Sequence, residues 1–308
     1  MGRVDEAIGA LEEAVKLNPR YPEACMGLGI LHEEKNELAV AVKYFDKALE
    51  IDPSNVNVYH LLGAALARDK RYGEAVTTYD TLAKIDAKDP FVYIEWSNIF
   101  FSRKMTDEAI AVLEKGVAAG IKDAALYVAL GYARSLKNET GADVLALYNM
   151  ALEIKPDSPV AHFYLGTYYD RIKDKDAAAR QMREAIRLDP DYHDAYNYLS
   201  YMFSEEGVRL DEAVALAKKA LEYEPENGAY LDSLGWAYFK KEMLSEALIE
   251  IERAVKAMPD DPTIADHLGD IYSAKGLSDK ARAAWQRSLE LDPKQEKVRE
   301  KLRNNNDK

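Results

Sequence analysis

The sequence has few of the residues that carry covalent or metal chemistry. Only one of its 308 residues is cysteine, which excludes a disulfide framework, and Cys25 stands at a core position of a predicted helix, where a buried and inert thiol is expected. The five histidines lie in different segments, without the pair of residues four apart on one helix that a metal site uses. Gly27-Leu28-Gly29 lacks the third glycine of a phosphate loop. Because these features are missing, we predict that the chain is not an enzyme and binds no cofactor or metal.

Basic side chains are outnumbered by acidic ones, and long apolar runs are missing from the sequence. The chain has 41 lysines and arginines against 54 aspartates and glutamates, which gives a net charge of −13. Because phosphate neutralisation requires a basic face, a nucleic-acid partner is disfavoured. No run approaches the roughly 18 apolar residues of a spanning helix, so direct membrane insertion is not predicted. Location stays open between the periplasm or cell envelope and the cytoplasm.

What the chain does contain is a helical hairpin. In residues 228–259 apolar side chains return every three or four residues in two runs, which places each run on one stripe of a helix. These residues are Leu231, Leu234, Tyr238, Ala247, Ile251 and Ala254. The short connection KKEMLS joins the two helices, and Pro259 ends the second because it has no N–H to donate. Gly235 lies on the apolar side of the first helix, where a small residue lets the two helix backbones approach closely.

Three markers repeat this hairpin along nearly the whole chain, in steps of 34 or 35 residues. The residues that end the second helix are Pro19, Pro53, Ala87, Ile121, Pro156, Pro190, Pro225, Pro259 and Pro293. The first-helix pairs are Leu28-Gly29, Leu62-Gly63, Trp96-Ser97, Leu130-Gly131, Leu165-Gly166, Leu199-Ser200, Leu234-Gly235 and Leu268-Gly269. The second-helix markers are Ala7, Ala41, Ala75, Ala109, Val144, Ala178, Ala213, Ala247 and Ala281. Because ordering one hairpin costs more free energy than its own core returns, neighbouring copies must stack.

This pattern resembles the tetratricopeptide repeat family, whose 34-residue unit carries leucine-glycine, alanines and a final proline. The resemblance covers about 300 of the 308 residues. It implies an all-α fold, an α-solenoid in which stacked hairpins form a right-handed superhelix. It also implies a concave groove, lined by the first helix of each pair, that holds a peptide or a helix of a protein partner. Tracts such as NGAYLDSLGWAYF are similar to bacterial arrays.

The markers divide the chain into one continuous array. A half repeat at 1–21 precedes eight repeats at 22–55, 56–89, 90–123, 124–158, 159–192, 193–227, 228–261 and 262–295, and a cap helix follows at 296–308. The half repeat lacks its first helix, which should leave Ile8 and Leu11 uncovered. We expect either that the chain is cut from a longer protein or that this edge self-associates. The triplet Asn138-Glu139-Thr140 is a glycosylation sequon by pattern, of a kind that arises by chance.

The third repeat departs most from the family pattern and has the most aromatic first helix, PFVYIEWSNIFF. In the resembled family, positions two, five, nine and twelve of each repeat line the groove. The residues predicted there, and therefore to contact a partner, are Phe91, Ile94, Asn98, Phe101, Val128, Tyr132, Phe163, Tyr201, Trp236, Phe239, Asp232, Asp266 and Asp270. The alternative is that the rings pack within the array. The three aspartates either form a solvated face or attract a basic partner segment.

The leading hypothesis is therefore an interaction scaffold that binds a peptide or helical segment of a protein. Two known modes of the family are disfavoured. Positions five and nine read Met26 and Ile30, then His60 and Ala64, without the lysine and asparagine that capture a chaperone's terminal carboxylate. Asn98 is the only asparagine at position nine, so the ladder of the glycosyltransferase array is missing. The alternatives are a self-assembling structural array and the targeting arm of an enzyme that lies outside this sequence.

Overall fold

The computed structural model describes the backbone of residues 2–137 and 139–306, so Asn138 of the sequon lies outside the described residues. The described residues form helices without a strand, which confirms the all-α prediction. The helices are α1 Gly2–Leu17, α2 Pro22–Glu34, α3 Leu38–Ile51, α4 Val56–Arg68, α5 Tyr72–Ile85, α6 Pro90–Ser102, α7 Thr106–Ala118, α8 Ala124–Leu136, α9 Ala142–Ile154, α10 Pro159–Arg171, α11 Lys175–Leu188, α12 His193–Glu206, α13 Leu210–Tyr223, α14 Gly228–Lys240, α15 Leu244–Ala257, α16 Pro262–Ala274, α17 Ser278–Leu291 and α18 Glu296–Asn306.

The helices group into two compact units, Met1–Pro156 and Asp157–Lys308. In the first unit α2 pairs with α3, α4 with α5, α6 with α7 and α8 with α9, and the first helices α2, α4, α6 and α8 lie side by side. The second unit repeats this arrangement from α10 to α17, with α12, α14 and α16 as neighbours and α18 packed on α17. None of the described helices is both long and apolar enough to cross a membrane.

Local sequence signals fix where the first helix of most pairs begins. The residue before the helix accepts a hydrogen bond from a backbone N–H of the first turn, which satisfies one of the four free donors there. Such capping residues are Asn55, Asp89, Asp123, Ser158, Asn227 and Asp261. Proline occupies the first turn of α2, α6, α10 and α16, where its missing N–H costs nothing.

The marker glycine makes room for a side chain of the second helix. A Cβ atom on Gly29 would lie 2.3 Å from Cε1 of Phe45, and Phe45 is fully buried. The same relation pairs Gly63 with Tyr79, Gly131 with Tyr148, Gly166 with Met182, Gly235 with Ile251 and Gly269 with Trp285. At Gly235, for which close approach of the helix backbones is predicted, an added Cβ would lie 3.2 Å from the backbone nitrogen of Ile251 as well as 2.6 Å from its Cγ1, so both roles apply to the marker glycine there. The space that it leaves holds a ring or a long apolar side chain.

In most of the described hairpins, the connection between the two helices contains a residue in the left-handed conformation. Gly120, with a φ of +77°, takes the same conformation in the connection between α7 and α8, which belong to successive hairpins. The other glycines with positive φ are Gly207 and Gly276, and the non-glycine residues are Asn36, Lys70, Lys104, Lys173, Arg209 and Glu242. Lysine and glutamate carry no turn signal of their own, since this conformation is uncommon for residues with a side chain. The recurrence of this turn could not be predicted from residue type.

The N-terminal helix is better covered than its sequence suggests. Ile8 was predicted to be uncovered but is only 9% exposed, because α1 packs on α2. Leu11 reaches Gly27, where an added Cβ would lie 3.0 Å from its Cδ1. The exposed large apolar residue of this helix is instead Leu17, at its C-terminal end. Self-association through this edge therefore stays a prediction of the sequence, without Ile8 as its basis.

Candidate functional site

The aromatic first helix of the third repeat keeps several large side chains at the surface of the first unit. Phe91, Ile94, Asn98 and Phe101 lie along one side of α6, because they are spaced three or four residues apart. Phe91 is 58% exposed, Asn98 is exposed, and Ile94 and Phe101 are half-buried. The Phe101 ring lies 5.9 Å from the ring of Tyr132 on α8. We call these five residues the aromatic face.

Two recesses border the aromatic face where α6 meets α4. One, of about 340 Å³, has Ala64 and Ala67 of α4 and Asn98 of α6 in its lining. Alanine at these positions of α4 leaves this recess open. The other, of about 450 Å³, includes Asn57 of α4 and the exposed ring of Phe91. The face thus combines apolar rings with hollows that a side chain could enter.

His60 of α4 lines the recess beside Phe91 and connects two acidic side chains. Its Nδ1 lies 2.6 Å from Oε2 of Glu95, and its Nε2 lies 2.9 Å from Oδ2 of Asp89. Through its other oxygen Asp89 accepts the backbone N–H of Phe91 at 2.9 Å. The hydrogen bond to Glu95 is the strongest influence and raises the pKa of His60; burial opposes it, and Asp89 adds to it. Two carboxylates therefore share one imidazole next to the exposed ring.

In the second unit, two of the predicted contact residues are buried. Asp232 is 6% exposed, and its Oδ1 lies 2.8 Å from Nδ1 of His267. The His267 ring stacks on Trp236 with the ring centroids 3.9 Å apart, and Nε1 of Trp236 donates to Glu205 at 2.6 Å. Burial acts to lower the pKa of His267, but the charge and hydrogen bond of Asp232, together with the charges of Asp266 and Asp270, outweigh it and the pKa is raised. Asp232 and Trp236 thus have internal partners and offer little surface to another protein.

The other two predicted acidic contacts are held by the C-terminal helix. Nζ of Lys301 on α18 donates to both oxygens of Asp266, at 2.7 and 2.9 Å, and to Oδ2 of Asp270 at 2.7 Å. Nε1 of Trp285 donates to the other oxygen of Asp270 at 3.1 Å. Burial raises the pKa of Asp266, and the hydrogen bond from Lys301 opposes that rise. The acidic end that was predicted to attract a basic partner segment is occupied by the chain's own lysine.

Replacing Lys301 with methionine should lower the free energy of unfolding of the second unit by about 1–2 kcal/mol, since two partly buried carboxylates lose a shared donor. Urea unfolding followed by circular dichroism measures the loss. Lys297→Met on the same helix is the matched control, because Lys297 is exposed. Equal stability of the two variants would show that the contacts of Lys301 with Asp266 and Asp270 do not stabilise the second unit.

The remaining predicted contacts are packed to different degrees. Val128 of α8 is 5% exposed, so its side chain packs in the core and is not available to a partner. Phe163 is half-buried among aromatic rings, with its centroid 5.8 Å from that of Tyr198. Phe239 is half-buried against Trp236, at 4.8 Å, and Tyr201 is also half-buried. Of the predicted set, the aromatic face of the first unit is where Phe91, Asn98 and Tyr132 are exposed.

Sequence analysis missed a recurring polar contact that joins a first helix to the next first helix or, at the C-terminal end, to the cap helix α18. It joins position five of one repeat to position six of the next, which are 35 residues apart. The pairs are His60 with Glu95, Asp232 with His267 and Asp266 with Lys301. An acidic residue that stands 35 residues from a histidine or lysine is the signal that would have found them. These contacts show that position five can hold a neighbouring repeat together.

Comparison with known proteins identifies the family to which this arrangement of helices belongs. A family profile described as tetratricopeptide repeat matches residues 13–281. The chain belongs to the tetratricopeptide repeat family. Among solved structures, the APC/C hetero-tetramer Cut9-Hcn1 gives a TM-score of 0.70 at 15% identity and covers 96% of this chain and 58% of that chain. TTC0263, a thermophilic protein of Thermus thermophilus, gives 0.52 at 21% identity and covers 59% of this chain and 98% of that chain. These likenesses concern the fold, and they confirm the α-solenoid class.

Relatives of this tetratricopeptide repeat chain come from diverse organisms. BBSome complex member BBS4 of Bos taurus is 25% identical over 262 residues, which are 80% of this chain and 49% of that protein. TPR repeat-containing protein YpiA of Bacillus subtilis is 25% identical over 231 residues, 73% of this chain and 53% of that protein. The chain thus spans about half the length of these relatives, and a bacterial source stays a prediction. The family supports a protein–protein interaction scaffold as the general function, and its members are generally not enzymes.

Proposed function

We propose that the aromatic face binds an extended segment of a partner protein. In this proposal a bulky apolar side chain of the partner rests against Phe91 and Phe101, and a neighbouring basic side chain points toward Asp89 and Glu95. The observation that carries the proposal is the 58% exposure of Phe91 beside a recess that also contains carboxylates. An aromatic residue exposed to this extent favours binding, because it gains more from desolvation than it contributes to folding.

The shape of the face supports an extended segment. A helix has already satisfied its backbone groups, whereas an extended chain presents free N–H and C=O groups. Asn98 is exposed in the middle of the face, and its amide can donate to a carbonyl and accept from an N–H. The recess between Asn98 and the alanines Ala64 and Ala67 can take an apolar side chain that points inward from such a segment.

Charge supports a basic residue in the partner. The chain carries a net charge of −13, and Asp89 and Glu95 share a single histidine beside Phe91. Arg68, the nearest basic residue along α4, donates to Glu33 of α2 at 2.5 Å. A lysine or arginine of the partner would therefore meet an excess of negative charge here, which favours its approach and its orientation.

A random 12-residue peptide library displayed on phage tests the proposal. We expect peptides selected on the wild-type chain to share a large apolar residue with lysine or arginine close by. A synthetic peptide of that consensus should bind Phe91→Ala at least about 10-fold more weakly by fluorescence anisotropy, the loss expected for an aromatic anchor.

Ile249→Ala is the matched control, because Ile249 is also 58% exposed but lies on α15 of the second unit. It should bind the peptide as the wild type does, with unchanged helicity in both variants. Peptides that lack basic residues, or that bind Phe91→Ala and wild type equally, would reject this face as the binding site.

A further inference from the structure

The histidine beside the aromatic face connects that face to pH. We propose that His60 is a switchable bridge, which joins α4 to both Asp89 and Glu95 when its ring carries two protons and releases one of the two carboxylates when it carries one. The inference concerns regulation of the face described under Proposed function and depends on that function for its meaning. The bridge itself rests on contacts within the first unit.

The geometry of the bridge requires two protons. Both ring nitrogens of His60 lie within 2.9 Å of a carboxylate oxygen, Oε2 of Glu95 and Oδ2 of Asp89. An ionised carboxylate only accepts hydrogen bonds, and a neutral imidazole has one N–H and one lone pair. With a single proton, one nitrogen would turn its lone pair toward an oxygen at hydrogen-bond distance. That contact is repulsive, so one carboxylate must then move away.

Two histidines of the second unit, His193 and His267, have different contacts. His267 has one carboxylate contact, with Asp232 at Nδ1. His193 has Nδ1 2.6 Å from the hydroxyl of Tyr230, and its Nε2 is 3.7 Å from Glu224. A phenol can donate as well as accept, so this contact suits a neutral ring. The two-sided contact of His60 is therefore a property of its site rather than of histidine at helix junctions.

The charged groups on the neighbouring helices fit this interpretation. From α6 and its cap, Glu95 and Asp89 face the ring. From α5, the Tyr79 hydroxyl is linked to Glu95, and burial with that carboxylate raises the pKa of Tyr79, so Tyr79 stays neutral. On α2, Glu33 pairs with Arg68 of α4.

The charged groups of α3 and of the start of α5 act on one another. Burial raises the pKa of Asp46 on α3, the charge of Arg71 opposes that rise, and the charges of Glu74 and Glu50 add to it. Arg71 donates to both oxygens of Glu74. The balance between one imidazole and two carboxylates therefore sets the protonation of the bridge.

The bridge reaches the proposed contact residue through Asp89. One oxygen of Asp89 meets His60, and the other accepts the N–H of Phe91 at 2.9 Å. Protonation of His60 thus holds the first turn of α6 against α4. Loss of that proton removes one positive charge from the recess beside Phe91 and frees a carboxylate. A partner's lysine or arginine can then take the place of the imidazolium, so a basic segment should bind more tightly.

The direction of the pH effect follows from the pKa of His60, which is raised above the ordinary histidine value of 6.5. The stabilisation from the bridge is fully present below about 6.5, the value in the unfolded chain. It is lost as the pH rises through the raised folded pKa. The bridge therefore opens within the range above 6.5.

Histidine ring resonances in the isotope-labelled chain test the bridge without any ligand. The His60 midpoint should lie above 6.5, and Glu95→Gln and Asp89→Asn should each lower it by about one pH unit. Asparagine keeps the helix cap at position 89. The backbone amide of Phe91 should shift with the same midpoint in the wild type and lose that step in His60→Gln. A midpoint at or below 6.5, or one that neither variant moves, would overturn the bridge.

Regulation of binding is tested with the consensus peptide selected on the wild-type chain. Its affinity should rise at least about 3-fold as the pH passes the His60 midpoint, and it should stay flat in His60→Gln. An equal rise in both proteins would overturn the regulation. A failure to select any peptide rejects the proposed function, whereas the ring and amide titrations still decide the bridge, so the two failures can be told apart.

Discussion

Replacing Asp232 with alanine should lower the free energy of unfolding of the second unit by about 3–5 kcal/mol at pH 6, the range found when one member of a buried ion pair is removed. Asp232 and His267 have side chains that are 9% and 6% exposed, so water cannot replace the lost partner. The variant must either bury an unpaired imidazolium or give up its proton. Urea unfolding, together with hydrogen exchange of the amides in α14 and α16, measures the loss.

The cost of Asp232→Ala should decrease at high pH. The pKa of His267 is raised in the folded chain, so the stability that its proton contributes is present below about 6.5 and disappears as the pH passes the folded pKa. At pH 9 the imidazole is neutral, so the loss of stability should come only from Nδ1 of His267, which has lost its hydrogen-bond partner, and should be about 1–3 kcal/mol. Asp260→Ala is the control, because Asp260 is 80% exposed in its pair with Arg287. Similar losses in the two variants, or a loss independent of pH, would contradict a charged pair.

Replacing Phe45 with alanine should destabilise the first unit by about 3–5 kcal/mol, because a fully buried ring leaves a cavity. Phe45 stands over Gly29, the marker glycine of its own repeat. Gly29→Ala alone should cost about 1–3 kcal/mol, since its methyl group would press against the ring. Thermal unfolding by circular dichroism measures both losses.

The double variant decides whether glycine and ring act as one unit. In Gly29→Ala with Phe45→Ala the new methyl group enters the space that the ring has left. The combined loss should therefore be smaller than the sum of the two single losses, by about 1 kcal/mol or more. Strict additivity would mean that the glycine serves the helix backbones and not the ring.

The fold follows from sequence because the markers repeat. In residues 228–259 the connection KKEMLS and Pro259 predict two helices, and α14 and α15 lie there. Leu231, Leu234 and Ile251 from the predicted stripes are buried. Period and polarity set these features, and both can be read from residue type. The burial of Cys25 follows in the same way, and burial raises the pKa of its thiol, which keeps it inert.

The candidate site follows only in part. Periodicity gives the side of a helix on which a residue lies, and on that basis Phe91 and Asn98 are predicted at the surface, where they are found. Periodicity does not give the partner of a side chain on the next repeat. Asp232 and Asp266 stand at the same repeat position as Ile94, yet Asp232 is bonded to α16 and Asp266 to the cap helix α18. Whether a residue predicted to line the groove is exposed or paired thus depends on the residue 35 positions further along the chain.

That spacing also limits how such a chain can evolve. If a second copy of residues 228–261 were inserted after the first, the residue 35 positions after Asp232 would be the copied Ser233. Asp232 would then lose its ion-pair partner. Loss of residues 262–295 would instead set Asp232 opposite Lys301, an acceptable match. The hairpins are thus not freely exchangeable. A duplicated or shuffled repeat should be tolerated only where its residue at position five and the residue at position six of the next repeat can form an ion pair or hydrogen bond. The order of the repeats therefore restricts which rearrangements are possible.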